Sequence, residues 1–378
     1  MLTAEPRNVT GYMPQLDTVR FFAVIMVLLQ HLMGLQLFSW GHWGVQLFFV
    51  LSGFLITGIL LKSRNSVESG GISGGRAALE FYIRRVFRIF PLYYFVVIFV
   101  GLILDYSQGR EFWPWLIGYA MNFKIGIINS ETSYFSLFWS LAVEEQFYFV
   151  WPWVVLFAPR RAIFPITLLM IACGPIWRGY CLAHIGHGTN FVQLYKFTWG
   201  CLDSLGLGAL LAQVYECKER HDLTQKSLNW LVVPGLMVFA FLEALAMLEI
   251  NWSLHIVFAD LALGLVFCWF ILTAARGFTG LSGKVMNLWI LRAGGWITYG
   301  IYVYHLLARD ILLWASSKLG YSLQRTGLRM FVLGMGLTIL ASWLSWRFFE
   351  LPINKLKDRW AGNRELPAQQ SQVEVVAA

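Results

Sequence analysis

Apolar runs of about 18 residues or more, separated by short clusters of Lys, Arg, Gly and Pro, follow one another along most of the chain. A run of that length closes its own backbone hydrogen bonds as a helix and matches the thickness of a bilayer's hydrocarbon core. The pattern predicts helical spans at residues 20–38, 43–62, 86–104, 136–158, 162–183, 199–216, 229–248, 254–274, 294–316 and 328–349. The fold class is therefore all-α: a polytopic integral membrane protein with about ten transmembrane helices.

Charge between the runs sets the orientation. Lys62, Arg64, Arg76, Arg84, Arg85 and Arg88 face only Glu68 and Glu80 between the second and third spans, which puts this segment in the cytoplasm. The stretch from Phe112 to Phe123 is apolar but contains Pro114 and is too short to span, so it is expected to re-enter or lie at the interface. Arg160-Arg161, the loops 218–226 and 276–292, and the tail with Lys355, Lys357 and Arg359 then all fall on the cytoplasmic side. Both termini are expected to be cytoplasmic. The first apolar run is long and has no small-residue cleavage site, so it is expected to be retained as the first helix. The expected organisation is an N-terminal cytoplasmic segment (1–12), a transmembrane domain (13–354) and a disordered cytoplasmic tail (355–378). Residues 66–75 have the Gly/Ser composition of a flexible linker.

Composition narrows the class. Hydrophobic residues make up 58% and charged residues 13%, and the 18 Trp and 15 Tyr suit interfacial belts. The net charge of +8 is carried by short loops, so it reports topology and no nucleic-acid partner is expected. The 5 cysteines are odd in number and lack metal-type spacing, which argues against a disulfide framework and a zinc site; no metal is expected. The expected location is the cell inner (plasma) membrane, crossed many times.

A few polar residues inside the spans carry candidate chemistry. His31 lies about 16 Å along the first helix from Arg20, near mid-membrane, where ionisable groups face a cavity or a partner. It serves either as a hydrogen bond between helices or as a general base or proton shuttle. Asp17, three residues before Arg20, is placed to pair with it. Glu144 and Glu145 lie at a similar depth in the fourth span. Neighbouring helical residues point about 100° apart, so one acid meets a cavity while the other fixes a helix. Arg85 and Arg88 share a helix face; they set topology and touch lipid, or they bind a polyphosphate. Tyr299, Tyr302, Tyr304 and His305 line a polar cavity or pack in the core. Arg347 and Glu350 are expected to form a local ion pair, and Asp203 with Ser204 a polar interhelical contact. His184, His187, His255 and Asp260 lack a metal geometry.

The order of these segments resembles the membrane-bound acyltransferase-3 family. Leu16-Asp17-x-x-Arg20 leads to His31, then Gly44-Val45-Gln46-Leu47-Phe48-Phe49-Val50-Leu51-Ser52-Gly53-Phe54 follows. Arg85-x-x-Arg88-Ile89-x-Pro91 comes next, and then Trp139-Ser140-Leu141 with Glu144-Glu145-Gln146-Phe147-Tyr148. Thr298-Tyr299-Gly300-Ile301-Tyr302, His305 and Glu350-Leu351-Pro352 complete a likeness covering about residues 13 to 354. The resemblance implies O-acylation of a cell-surface or lipid-linked carbohydrate, with acyl-CoA, usually acetyl-CoA, as donor. It makes Arg20 and His31 essential and matches the family's Arg-x-x-Arg to Arg85 and Arg88. Family members often have aspartate where this chain has Gln46. The esterase-like C-terminal domain of some members has no counterpart, so the transferase region is expected to act alone or with a separate partner.

The expected mechanism has Arg85 and Arg88 on the coenzyme A phosphates and the thioester arm reaching toward His31. His31 acts as base or carries the acyl group covalently, and Glu144 or Glu145 orients it or the sugar. Trp139, Ser140, Tyr299 and Tyr302 are expected to contact substrate. The expected partners are a carbohydrate or glycolipid acceptor and membrane lipid. A rival from another class is a proton-coupled transporter or exporter of a glycolipid or polysaccharide precursor, in which His and Glu form a proton relay. No inverted repeat of the kind such transporters often have is evident.

Overall fold

A computed structural model describes residues 12–35, 39–100, 109–128, 134–185, 196–217 and 221–361, and every regular element among them is helical. Helix α1 (Pro14–Leu28) begins before its apolar run, with Pro14 in the first turn, where its missing N–H costs nothing. It continues as a π turn, Leu29–Met33, and stops at Gly34, whose φ of 76° suits glycine. Residues 36–38 of the predicted first span lie outside the described residues.

Helices α2 (Trp40–Glu68) and α3 (Gly74–Ile98) meet in a tight turn, so the linker expected at 66–75 is corrected. The Gly71 N–H donates to the Ser66 carbonyl at 2.8 Å, and the Ser73 side chain caps α3 by accepting the Arg76 N–H at 3.2 Å. Glycine and serine here close helix ends. Because α3 starts at Gly74, Arg84, Arg85 and Arg88 all sit within it.

The Phe112–Phe123 stretch folds as two short helices, α4 (Gly109–Ile117) and α5 (Met121–Ile128), neither long enough to span. Helix α6 (Trp139–Phe157) follows a 3₁₀ turn at Tyr134–Phe138. Gln146 of α6 donates through Nε2 to the Tyr119 carbonyl at 2.8 Å and to Asn122 Oδ1 at 3.0 Å, while Thr198 donates to its Oε1. The tip of the α4–α5 hairpin is thereby fixed to α6.

The remaining helices are α7 (Arg160–Ile185), α8 (Leu202–Glu216), α9 (His221–Met247), α10 (Trp252–Arg276), α11 (Gly280–Met286), α12 (Trp289–Trp296), α13 (Thr298–Lys318), α14 (Leu328–Ser345) and α15 (Leu351–Ala361). Residues 355–361, expected to be disordered, are the end of α15; 362–378 lie outside the described residues. A π turn, Trp346–Glu350, joins α14 to α15. Among the described residues Arg347 and Glu350 form no ion pair, and Glu350 instead accepts from Ser345 at 3.0 Å. The wider π turn rotates positions three apart off a common face.

Among the described residues six helices are long and apolar enough to cross a membrane: Pro14–Met33, Trp40–Glu68, Arg160–His184, Asp222–Met247, Trp252–Arg276 and Leu328–Leu356. The other predicted spans fall on α3, α6, α8 and α13. Three of these carry the polar residues of the site described below, which lowers their hydropathy, and α8 has 15 residues. The protein is a helical membrane protein with α2 at its centre. Gly208 of α8 lies against the Val50 carbonyl and Gly53 of α2 against the Leu205 carbonyl, with no room for a Cβ at either. Backbones of membrane helices touch at such small residues. The Asp203 contact is a buried ion pair. Arg178 of α7 reaches Asp203 at 2.5 Å and Asp260 at 3.2 Å, and Asp260 also meets His42 at 2.9 Å.

Candidate active site

A cavity of about 420 Å³ opens between α1, α2, α3, α6 and α13. Phe48, Leu55, Ile56, Ile59 and Phe81 give it an apolar wall. Arg20, Ser52, Arg85, Arg88, Ser140, Glu144, Tyr148, Tyr299 and Tyr302 line it with polar groups, and Lys62, Glu80 and Arg84 lie toward the α2–α3 turn.

The cationic side is held by specific contacts. Arg20 donates to Asp17 at 2.7 Å, as the spacing predicts, and the other Asp17 oxygen accepts from Tyr12 at 2.9 Å and Trp296 at 3.3 Å. Gly295 packs directly on the Asp17 carbonyl, tying α12 to α1. The Arg85 guanidinium lies 5.6 Å from the Phe81 ring centre and 5.4 Å from that of Tyr148. Arg88 is one turn further along the same face. Tyr299 braces α13 on α3 by donating to the Ile89 carbonyl at 2.9 Å.

The acidic pair divides as helical geometry requires. Glu144 lines the cavity and accepts from Ser52 Oγ at 2.7 Å, and Ser52 accepts from Tyr148 at 3.0 Å. Glu145 is not part of the lining, and Gln146 faces the hairpin. Ser52 was not among the predicted site residues. Its signal is a hydroxyl beside Gly53 in an otherwise apolar stretch.

His31 does not line the cavity. It sits in the π turn at the far end of α1 from Arg20, with its Nδ1 2.8 Å from His305 Nε2 and the two rings nearly coplanar at 1°. His305 is fully buried, and its Nδ1 lies 2.6 Å from the Tyr302 carbonyl. A carbonyl only accepts, so His305 carries its proton on Nδ1 and presents a bare Nε2. His31 must then donate from Nδ1, which leaves the lone pair of its own Nε2 available. The Tyr302 hydroxyl donates to the Leu137 carbonyl at 2.9 Å and receives the Ser140 proton at 2.6 Å. Tyr302 thus touches both the cavity and the histidine pair.

One expectation is corrected, and one open alternative is decided. Trp139 is not on the cavity: it stacks under Lys196, whose Nζ is 5.1 Å from the ring centre, and meets Phe49 edge-on. Its large ring fills the space between α6, α2 and the segment before α8. Tyr304 and His305 do not line the cavity either; Tyr304 bonds Ser345 at 3.2 Å, joining α13 to α14. Gln46 borders a separate void of about 10 Å³ with His42, Ser204 and Asp260, and its Oε1 is buried without a partner among the described residues.

A sequence model of the acyltransferase domain (acyltransferase-3) matches residues 13–347. The chain is 28% identical over 371 residues to the O-acetyltransferase OatA of Staphylococcus aureus, covering 91% of this chain and 57% of that protein. It is 30% identical over 372 residues to the peptidoglycan O-acetyltransferase OatA of Listeria monocytogenes, covering 91% and 56%. The chain therefore spans a little over half the length of these curated relatives. No solved structure matches it.

Proposed function

Because the chain belongs to the acyltransferase-3 family, we propose that it transfers an acetyl group from acetyl-CoA to a hydroxyl of a cell-wall carbohydrate. The relatives' names make peptidoglycan the first acceptor to test. In this reading the protein crosses the inner (plasma) membrane ten times with both termini in the cytoplasm. The donor enters from the cytoplasmic side, its phosphates meet Arg85 and Arg88, and its thioester arm runs along the apolar wall toward Ser140 and Tyr302.

The acceptor hydroxyl approaches from the opposite side, where His31 lies. His31 Nε2 removes the hydroxyl proton as the oxygen attacks the thioester carbonyl; the carbon–sulfur bond breaks and coenzyme A leaves as the thiolate. The observation that carries this reading is the His31–His305–Tyr302 chain, which gives one imidazole nitrogen an uncommitted lone pair. Glu144, held by Ser52, faces the arm and orients it.

The test is turnover by purified protein. His31→Ala is expected to lower the rate roughly a hundredfold or more, the share a positioned general base contributes. Arg85→Ala is expected to raise KM for acetyl-CoA about tenfold, the loss of one charge-assisted contact. Near-normal transfer by His31→Ala would overturn the catalytic assignment, and an unchanged KM in Arg85→Ala would overturn the donor site.

A further inference from the structure

The cavity carries more positive charge than its own carboxylates balance. Lys62 on α2 and Arg84 on α3 line the end nearest the α2–α3 turn, while Arg85 and Arg88 lie deeper along α3. Among the described residues Lys62, Arg84 and Arg88 make no hydrogen bond or ion pair, and Arg85 has ring contacts with Phe81 and Tyr148. Three of the acids nearby make other contacts, while Glu145 acts on Arg85 through space. Glu80 pairs with Arg76 at 2.7 Å, Glu68 with Arg64 and Arg160 at 2.7 and 2.6 Å, and Glu144 with Ser52. Ser66, one turn beyond Lys62 on the same face of α2, adds a hydroxyl to the same end.

Lys62 and Arg88 are exposed and Arg84 and Arg85 half-buried, so an anion entering this end of the cavity meets four cations that reach solvent. The cations come from two helices, Lys62 from α2 and Arg84, Arg85 and Arg88 from within about 6 Å of α3, so a ligand that engages both helices carries more than one anionic group. Coenzyme A does: a diphosphate within its chain and a phosphomonoester on its ribose, together about four negative charges against these four cations.

We propose that Lys62 and Arg84 form a second phosphate subsite that takes the ribose phosphomonoester of the donor, with Arg85 and Arg88 on its diphosphate. This rests on the acyl-CoA donor proposed above. The subsite makes the protein select coenzyme A over its dephosphorylated form, and it fixes the nucleotide outside the membrane while the arm reaches inward.

The test compares acetyl-CoA with acetyl-dephospho-CoA in nanodiscs of neutral phosphatidylcholine. Wild type is expected to show kcat/KM at least about tenfold higher for acetyl-CoA. In Lys62→Met with Arg84→Met, which keeps the apolar stems, the ratio is expected to fall toward one. The ratio is taken within each variant, so loss of folded protein does not affect it. A wild-type ratio near one, or a ratio that survives in the double variant, overturns the subsite while leaving the donor assignment standing. Turnover of neither donor overturns the donor assignment and the subsite with it. A collapse seen only in discs containing phosphatidylglycerol assigns the pair to a lipid headgroup and overturns the proposal.

Discussion

His31 shows how a long-range contact sets the chemistry of one side chain. Spacing put it on the first helix, but not in the terminal π turn, and its partner His305 lies 274 residues away with no local pattern linking them. The same limit hid the role of Arg178, which joins Asp203 and Asp260 from an apolar run. Arg20 with Asp17, and Arg85 with Arg88, were legible because three-residue spacing on a helix is local geometry. His305 holds the His31 tautomer without touching the cavity. His305→Ala is therefore expected to lower kcat about tenfold to a hundredfold, the usual loss when a partner orienting an imidazole is removed. KM for acetyl-CoA is expected to stay within about twofold, because Arg85 and Arg88 are untouched. His305→Gln, whose amide oxygen accepts from His31, is expected to recover part of the rate. A rise in KM matching the fall in kcat would show a collapsed cavity instead.

Helices were legible because apolar runs in a membrane must fold that way; their ends were not. α3 begins at Gly74, since its first turns are charged and helical together and an apolar-run rule sees only the later part. The 66–75 turn reads as a linker by composition because glycine and serine serve both uses. That Phe112–Phe123 is too short to span followed from length and Pro114, yet its folding into the α4–α5 hairpin and its anchor, Gln146, came only from the fold. Gln146→Leu removes two donated bonds of about 1 kcal/mol each, so amide exchange over residues 115–122 is expected to speed up roughly thirtyfold. The α2–α8 crossing gives a sharper contrast. Gly208→Val drives a side chain into the Val50 carbonyl and is expected to cost about 3 kcal/mol or more, read as a lower thermal transition in detergent. Gly336→Ala on α14 meets nothing within 4 Å and is expected to raise stability by about 0.5–1 kcal/mol. Equal effects at the two sites would contradict the crossing.

At the scale of the whole molecule, two chemistries are kept apart and joined through one residue. The cationic cavity lies on one side, the histidine pair on the other, and Tyr302 belongs to both. Sequence motifs supplied the members of each group but not this division, because cavity walls come from helices far apart in the chain. Trp139 illustrates the point: its motif neighbour Ser140 lines the cavity while Trp139 turns to Lys196. The arrangement suits a reaction whose donor and acceptor arrive from opposite faces. The most direct measurement uses proteoliposomes with the cytoplasmic face outward, acetyl-labelled acetyl-CoA outside and peptidoglycan fragments inside. The account predicts free coenzyme A outside and label on the enclosed carbohydrate, both lost in His31→Ala. Label that stays on acetyl-CoA while an imposed proton gradient drives the fragments across the membrane would contradict it and mark the protein as a transporter.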